Sequence, residues 1–258
     1  MVTVLHARAF RDNYIWIVRG DTHDQVAIVD PGDAVPVLDL LRREQLTPCA
    51  ILCTHHHGDH VGGVEEIARA YPVPIYGPAK GTIPGLTHLL REGDTVTLPA
   101  LGITFRVWEV PGHTLDHIAF VNDDILFCGD TLFSAGCGRL FEGTAAQLHR
   151  SLTRFAALPS STKVYCAHEY TLANLRFALA VEPGNADAVA YRAQAESRLA
   201  AGNPTLPSTV DLERRVNPFL RVAQPAVRRA IEAQVGRRLH DDISAFTALR
   251  RWKDDFRG

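Results

Sequence analysis

Four histidines and one aspartate lie within residues 55–60, directly after the short apolar run Ala50–Cys53. A pair of glycines and a helical pattern over Gly62–Ala70 follow this segment. The carboxyl end of a strand is where an α/β sheet normally binds its ligands. Imidazoles two residues apart can converge from a loop, whereas a helix would bring together residues four apart. The segment therefore predicts a metal-binding loop at a sheet edge. Its candidate ligands are His55, His57, Asp59 and His60.

Three further apolar runs are each followed at once by a His or an Asp, which are His113, Asp130 and His168. This recurrence is not expected by chance in a structural protein. Two metal ions about 3.5–4 Å apart, bridged by a carboxylate oxygen and by water, form a hydrolytic centre. Asp130 is the natural bridge, because a carboxylate can offer one oxygen to each ion. His117 is predicted to have a supporting or core position, since Pro111 and Gly112 disfavour a helix that would pair it with His113.

The type of donor restricts the choice of metal. Imidazole and carboxylate suit Zn²⁺, Fe and Mn, and the absence of a CxxC spacing argues against a closed structural zinc site. The sequence therefore predicts two divalent ions per chain, with zinc favoured and iron or manganese as alternatives.

Up to about residue 170, short apolar runs alternate with Gly, Pro, Asn and Asp, a pattern typical of strands separated by turns. The predicted strands are Tyr14–Val18, Val26–Val29, Ala50–Cys53, Pro74–Tyr76, Thr95–Leu98, Ile103–Val110, His117–Val121, Ile125–Cys128 and Val164–Cys166. The predicted helices are Val35–Leu46, Gly62–Ala70 and Thr144–Ala157. This mixture favours a layered α/β architecture, with sheets covered by helices.

After about residue 170 the pattern becomes helical and no convincing strand remains. The predicted helices are Leu172–Ala180, Asp187–Ala201, Pro225–Gly236 and Asp242–Phe256. Residues 213–258 contain 11 Lys and Arg against 6 Asp and Glu. These cations either lie on solvated helix faces or form a surface that receives an anionic ligand.

Composition excludes several classes of protein. The net charge of -2 over 258 residues argues against a dedicated nucleic-acid binder. No run approaches 18 consecutive apolar residues, so no membrane span is expected, and no signal peptide is recognised at the start. Five cysteines without CxxC spacing fit free thiols in a reducing cytoplasm. A monomer is the default expectation.

The HxHxDH run of 55–60, together with His113, Asp130 and His168, resembles the metallo-β-lactamase superfamily. Within it, the chain resembles the hydroxyacylglutathione hydrolase (glyoxalase II) family over nearly its whole length. The motifs that carry this resemblance are Asp12-Asn13-Tyr14, Val29-Asp30-Pro31-Gly32, Gly129-Asp130-Thr131-Leu132-Phe133, Gly136-Cys137-Gly138-Arg139, His168-Glu169-Tyr170-Thr171, Glu182-Pro183-Gly184-Asn185, Asn217-Pro218-Phe219-Leu220-Arg221 and Arg250-Arg251-Trp252-Lys253-Asp254.

The resemblance implies an αββα sandwich in residues 1–170, which binds the metals, and a helical glutathione-binding domain in residues 171–258. It implies that one metal is held by His55, His57 and His113. It implies that the other is held by Asp59, His60 and His168. Asp130 bridges the two, and His56 is not a ligand in this pattern.

The implied activity is hydrolysis of S-(2-hydroxyacyl)glutathione thioesters, such as S-D-lactoylglutathione, by a hydroxide that the two metals activate. This is the second step of methylglyoxal detoxification, with Asp59 and Asp130 at the catalytic centre. Glutathione contacts are implied for Arg139, Tyr170, Arg250 and Lys253. Some members have Tyr where this chain has Phe141, which removes one possible hydrogen bond to glutathione.

Several alternatives remain open from the sequence. Another hydrolase on the same scaffold could act on lactams, phosphodiesters or lactones, and a sulfur dioxygenase would use a single iron. A serine hydrolase is disfavoured because no G-x-S-x-G elbow is present. A metal-buffering module is disfavoured because such sites usually close their coordination, whereas seven candidate ligands for two ions leave room for substrate.

Overall fold

The computed structural model describes residues 2–20 and 24–257. The chain forms two compact units. The first unit comprises Met1–Val110 and Leu115–Gly129, and the second comprises Pro111–Thr114 and Asp130–Gly258. None of the helices in the described ranges has both the length and the hydropathy needed to span a bilayer.

A six-stranded sheet in the first unit has its strands in chain order. The strands are β1 (Thr3–Ala9), β2 (Asn13–Arg19), β3 (Gln25–Val29), β4 (Thr47–Leu52), β5 (Ile75–Pro78) and β6 (His88–Leu90). The first three strands are antiparallel, and β3 to β6 are parallel. Parallel neighbours need a crossover connection. The helices in these crossovers are α1 (Ala34–Arg43), α2 (Gly58–Val61) and α3 (Val64–Ala70).

Helices α1 and α3 share one apolar core with this sheet. Alternate residues of a strand turn to the same face, so β2 and β3 each contribute side chains two residues apart. The cluster includes Ile15, Ile17, Val26, Ile28, Val37, Leu41, Val64 and Ile67, all with 1% exposure or less. Burying each of these larger side chains stabilises the fold by about 1.5–3 kcal/mol. The carboxyl ends of β3 and β4 are therefore held on a rigid layer.

Four antiparallel strands form a second sheet region in the first unit. They are β7 (Thr95–Leu98), β8 (Ile103–Glu109), β9 (Ile118–Val121) and β10 (Ile125–Gly129), with a 3₁₀ turn at Pro99–Leu101 between the first two. The five residues of β10 are all buried.

The second unit is mainly helical. It contains the short hairpin of β11 (Leu132–Phe133) and β12 (Gly136–Cys137), and a second strand pair of β13 (Lys163–Cys166) and β14 (Ser208–Thr209). Its helices are α4 (Ala145–Ala156), α5 (Thr171–Val181), α6 (Ala186–Ala200), α7 (Val210–Val216), α8 (Pro225–Val235) and α9 (Asp242–Asp255), with a 3₁₀ turn at Pro218–Leu220. Side chains of α5, α6 and α7 form a buried cluster of their own that includes Leu175, Tyr191 and Val216.

The mixed α/β class and the helical C-terminal part are confirmed, but several local predictions are wrong. A strand does follow residue 170, since Ser208–Thr209 pairs with β13. Two residues are too few to show the alternation by which a strand is recognised. The helix predicted to reach Leu46 ends at Arg43, because Gln45 adopts a left-handed backbone with φ 54°.

The segment predicted to be a metal-binding loop is only partly a loop. Residues 54–57 lie outside the helices and strands, but Asp59 and His60 belong to the single-turn helix α2. Gly32, in the turn after β3, approaches this helix so closely that a Cβ atom would lie 1.8 Å from the carbonyl oxygen of Asp59. The turn and the helix can pack together only because residue 32 is a glycine.

Candidate metal centre

Three predicted imidazole ligands of the first unit lie side by side after β4. The ring centroid of His55 is 4.7 Å from that of His57 and 4.1 Å from that of His60. His55 and His60 are almost completely buried, whereas His57 is partly exposed. Buried imidazoles this close together are expected to share a cation rather than to carry charges of their own.

A buried carboxylate, Asp30 at the end of β3, orients two of these imidazoles. It accepts hydrogen bonds from Thr54, through the backbone N–H at 2.7 Å and the hydroxyl at 2.8 Å, and from Nδ1 of His60 at 3.1 Å. The Thr54 hydroxyl in turn accepts from Nδ1 of His55 at 3.1 Å. Metal-binding histidines typically donate their second N–H in this way. The bonds make Nε2 the atom of both rings that would bind a metal.

Asp59 is oriented by Asn13 at the start of β2. The Asn13 amide donates to the carboxylate oxygen Oδ2 of Asp59 at 3.1 Å and to its backbone carbonyl at 3.3 Å. The same carboxylate oxygen lies 3.7 Å from Nε2 of His60. Asp59 and His60 thus present their donor atoms together, as two ligands of one ion would.

Sequence reasoning assigned no role to Asp30 or Asn13, although both stand in motifs that carry the family resemblance. Asp30 had a usable signal, because it follows a buried strand directly, as the predicted ligands do. Asn13 had no such signal, since its partner is 46 residues away.

Two other histidines of the first unit have different partners. His56 donates from Nδ1 to Asp116 at 3.0 Å. His117 donates from Nδ1 to the carbonyl of Ile118 at 3.0 Å and stacks on the ring of His55 at 4.5 Å. The buried, stacked position of His117 agrees with the supporting role predicted for it.

In the second unit, the carboxylate of Asp130 has one imidazole at each oxygen. Nε2 of His113 lies 3.5 Å from Oδ2, and Nε2 of His168 lies 3.4 Å from Oδ1. Nδ1 of His113 donates to the carbonyl of Arg139 at 2.9 Å, so Nε2 is again the atom that would bind a metal. This arrangement suits a carboxylate that bridges two cations.

The donor set fits divalent metal ions. The predicted ligands of each unit are all His or Asp side chains. These residues are His55, His57, Asp59, His60, His113, Asp130 and His168. A set of imidazoles and carboxylates without a thiolate is typical of zinc, iron and manganese.

The aromatic residues predicted to bind substrate lie against the histidines of the second unit. Tyr170 stacks on His168, with ring centroids 4.8 Å apart and an interplanar angle of 7°. Phe141 is exposed and meets the ring of His113 edge-on at 5.2 Å. Arg139 is also exposed, with its nearest carboxylate, that of Asp254, at 3.8 Å.

Two cations of α9, Arg250 and Lys253, have different environments. Arg250 is buried and donates to the carbonyl of Cys137 and to the carboxylate of Asp254, both at 3.0 Å. Lys253 lies over the ring of Phe177 at 5.1 Å and donates to a backbone carbonyl of α5. The helical spacing of these residues predicted their shared face but not the burial of Arg250.

Replacing Asp30 by Asn tests the orientation of His60 and His55. The amide nitrogen would face the Thr54 hydroxyl and Nδ1 of His60, which are both donors. We expect the affinity for Zn²⁺ to fall about 10- to 100-fold, the usual cost of losing such a partner. Competition with a chromophoric chelator measures this change. Asp33→Asn is the matched control, because Asp33 only caps α1; equal affinities for the two variants would contradict the assignment.

Comparison with known proteins agrees with this geometry. A family model of the metallo-β-lactamase superfamily matches residues 8–168, and a model of the hydroxyacylglutathione hydrolase C-terminus matches residues 169–256. A hydroxyacylglutathione hydrolase of Nitrosomonas eutropha is 50% identical over 258 residues, covering 99% of this chain and 100% of that protein. A hydroxyacylglutathione hydrolase of Cupriavidus taiwanensis is 53% identical over 269 residues, covering 100% of this chain and 100% of that protein.

Among solved structures, the fold is similar to that of TTHA1623, which was crystallised in a di-iron-bound form. The TM-score is 0.59 at 26% identity, covering 84% of this chain and 100% of the other. The predicted fold is confirmed by these matches together with the helical C-terminal region. The chain therefore belongs to the metallo-β-lactamase superfamily and, within it, to the hydroxyacylglutathione hydrolase family.

Proposed function

We propose that this chain is a metal-dependent thioesterase that hydrolyses S-(2-hydroxyacyl)glutathione, converting S-D-lactoylglutathione to D-lactate and glutathione. This reaction is the second step of methylglyoxal detoxification. The observation that carries the proposal is the presence of all seven donors in a chain 50–53% identical, from end to end, to proteins named hydroxyacylglutathione hydrolase.

We infer that two divalent ions bind, one on His55, His57 and His113 and the other on Asp59, His60 and His168. Asp130 contacts both. The imidazole at each oxygen of Asp130 supports this assignment, as do the Nδ1 bonds of the buried histidines. The di-iron form of the similar structure supports a pair of ions. Zinc is favoured on the donor types, with iron or manganese as alternatives.

A pair of divalent cations supplies Lewis acidity, which lowers the pKa of water towards neutrality and stabilises negative charge on a carbonyl oxygen. The residues of the chain hold and orient those cations. Asp30 and Thr54 fix two imidazoles, and Asn13 fixes the carboxylate of Asp59. Glutathione leaves as a thiolate of pKa about 8.5, so the chain needs no strong general acid.

The glutathione part of the substrate carries two carboxylates and one ammonium group. We propose that it is bound by Arg139, Tyr170, Arg250 and Lys253, with Phe141 beside it. The position of Tyr170 and Phe141 against His168 and His113 supports this site. Lys253 stands over an aromatic ring and is less buried than Arg250.

We propose the two functional domains that the sequence predicts, a metal-binding domain in residues 1–170 and a glutathione-binding domain in residues 171–258. The two family models, which meet between residues 168 and 169, support this division. A cytoplasmic location is supported by the five cysteines, which are all free thiols. No nucleic-acid or membrane partner is proposed, and a monomer remains the prediction.

Hydrolysis of S-D-lactoylglutathione by the purified chain, before and after chelation, tests the proposal. We expect turnover that disappears on metal removal and returns with Zn²⁺. A β-lactam and glutathione persulfide serve as substrates for two of the alternatives on this scaffold. Turnover of either one, with none of the thioester, would overturn the proposed function.

The pH dependence of substrate binding tests the role of Lys253. Burial, followed by the neighbouring cations Arg250 and Arg176, lowers the pKa of Lys253 to about 8. Because only the charged form attracts a carboxylate, we expect the KM to rise as the pH increases through about 8, well below the ordinary lysine pKa of about 10.4. Unfolding would not explain this rise. A lysine whose pKa is lowered by folding destabilises the folded state at low pH, and this penalty is relieved as the pH increases.

Lys253→Arg is the matched variant, because arginine keeps its charge throughout this range. We expect its KM to change little between about pH 7 and pH 9. Parallel KM profiles for the two proteins, after subtraction of spontaneous hydrolysis, would rule out titration of Lys253 as the cause.

A further inference from the structure

A short hairpin in the second unit is linked to all three metal ligands proposed there, through a ring contact or through the residues next to it. Asp130 lies two residues before β11, and the ring of Phe133 in β11 meets that of His168 edge-on at 5.7 Å. Arg139, two residues after β12, accepts the Nδ1 bond of His113. A shift of the hairpin would therefore displace a carboxylate and two imidazoles together.

The space at the base of this hairpin is tightly limited. A Cβ atom on Gly138 would lie 2.0 Å from the carbonyl of Asp130 and 3.0 Å from Nδ1 of His113. The carbonyl of Cys137, the preceding residue, accepts the bond from buried Arg250. The hairpin thus connects the ligands with a residue that we propose for glutathione binding.

The hairpin has little intrinsic stability. It consists of two residue pairs, Leu132 with Cys137 and Phe133 with Gly136. The connecting residue Ala135 has φ 55°, a left-handed conformation that is uncommon for residues other than glycine. An isolated two-stranded hairpin is at best marginally stable in water, even when it is longer than this one. Its position must therefore be set by contacts from elsewhere in the unit.

Those contacts centre on Glu213 of α7, whose side chain is completely buried. One carboxylate oxygen accepts from the Ser134 hydroxyl at 2.9 Å, and the other accepts from the backbone N–H of Ala135 at 2.9 Å. The second oxygen also accepts from the amide of Asn217 at 3.0 Å. Both residues of the hairpin loop are thus bonded to one carboxylate.

Two asparagine side chains complete the attachment. The amide of Asn217 donates to the carbonyls of Gly136 at 2.9 Å and Phe133 at 3.3 Å, and the amide of Asn174 donates to the carbonyl of Ser134 at 3.0 Å. Burial raises the pKa of Glu213, which reflects the cost of placing a carboxylate there. A buried acid is retained at such a cost when its hydrogen bonds specify one local arrangement.

We propose that Glu213 is a positioning residue of the metal centre. By fixing Ser134 and Ala135, it holds in place the hairpin that determines the positions of Asp130, His113 and His168. The hairpin also determines the position of the Cys137 carbonyl that Arg250 contacts. Through this path, a residue of the helical region controls metal affinity and glutathione binding together. The assignment of the three ligands rests on the proposed function.

Glu213→Ala tests this role, because it removes both acceptors from the hairpin loop. We expect Zn²⁺ affinity to fall about 10- to 100-fold, the range seen when partners of metal ligands are lost, with a raised KM for the thioester. Glu213→Gln keeps an oxygen for the N–H of Ala135 and can turn its amide towards the Ser134 hydroxyl. We expect the glutamine variant to recover most of the affinity.

Glu182→Ala is the control for a loss of stability alone. Glu182 is mostly buried in the same unit and pairs with Arg221, and neither residue contacts the hairpin in any described bond. We expect this variant to lower the melting temperature but to keep the Zn²⁺ affinity. Should Glu213→Ala fail to fold, Ser134→Ala removes one of the two loop bonds and is expected to weaken Zn²⁺ binding in the same direction.

Either of two results would overturn the proposal. One is a Glu213→Ala protein that is less stable than wild type, as Glu182→Ala is, but has unchanged Zn²⁺ affinity and KM. The other is a glutamine variant as impaired in Zn²⁺ binding as the alanine variant. Zn²⁺ affinity is measured without substrate, so a chain that failed to hydrolyse the thioester would still decide this question.

Discussion

Replacing Asp130 by Ala is expected to lower kcat/KM for S-D-lactoylglutathione by about a thousandfold or more. Loss of the ligand that we propose two cations share would remove several kcal/mol of stabilisation from the transition state, and each 1.4 kcal/mol is a factor of ten in rate. The two imidazoles that face the Asp130 oxygens at 3.4 and 3.5 Å would also lose their common neighbour. We expect the variant to bind less than its full complement of metal.

Purified Asp130→Ala should therefore be assayed for turnover and for metal content on the same sample. Asp130→Asn, which keeps the shape but not the negative charge, is expected to be nearly as impaired. Asp124→Ala is the control, because Asp124 is an exposed aspartate outside the proposed centre. A variant at position 130 that kept both ions and turned over within tenfold of wild type would exclude a bridging role.

Replacing Arg250 by Ala is expected to cost about 2–3 kcal/mol of unfolding free energy in addition to any loss of substrate binding. The guanidinium is buried, and its removal leaves the carbonyl of Cys137 without this donor. Its contact with the ring of Phe219 at 5.1 Å would be lost as well. The carboxylate of Asp254 is partly exposed, so water can replace that bond at lower cost.

Thermal unfolding and steady-state kinetics together separate the two effects of Arg250→Ala. We expect a clear fall in melting temperature, and in the protein that remains folded a KM raised more than kcat is lowered. Arg251→Ala, at the exposed next position of the same helix, should behave like wild type in both measurements. An Arg250→Ala protein with unchanged stability would contradict the buried contacts described for this residue.

Much of the candidate site was predictable from the sequence, because its chemistry is concentrated in short segments. Each predicted ligand lies within three residues of the end of an apolar strand or stands in the HxHxDH run, so local patterns are enough to find it. Eight of the ten strands described in the first unit were predicted, for a related reason. Strands such as β2, β3 and β10 are buried and apolar, and Gly, Pro or Asp stands at their ends. Strands β1 and β6 are more exposed and were not predicted.

Other features depend on partners far away in the chain. The bond between Asn13 and Asp59 and the burial of Arg250 against Cys137 join residues 46 and 113 positions apart. Glu213 stands in a polar segment of α7, where a charged residue is expected to face water, and its partners Ser134 and Ala135 are nearly 80 residues earlier. Periodicity cannot reveal such pairs, since it reports only which face of an element is apolar.

Titration of the metal-free chain with Zn²⁺, following bound metal and thioester hydrolysis in the same sample, is the most direct measurement. We expect hydrolysis to reach its maximum only when the second equivalent of Zn²⁺ has bound. Maximal hydrolysis with a single bound ion, or two bound ions without hydrolysis of S-D-lactoylglutathione, would contradict a two-metal thioesterase.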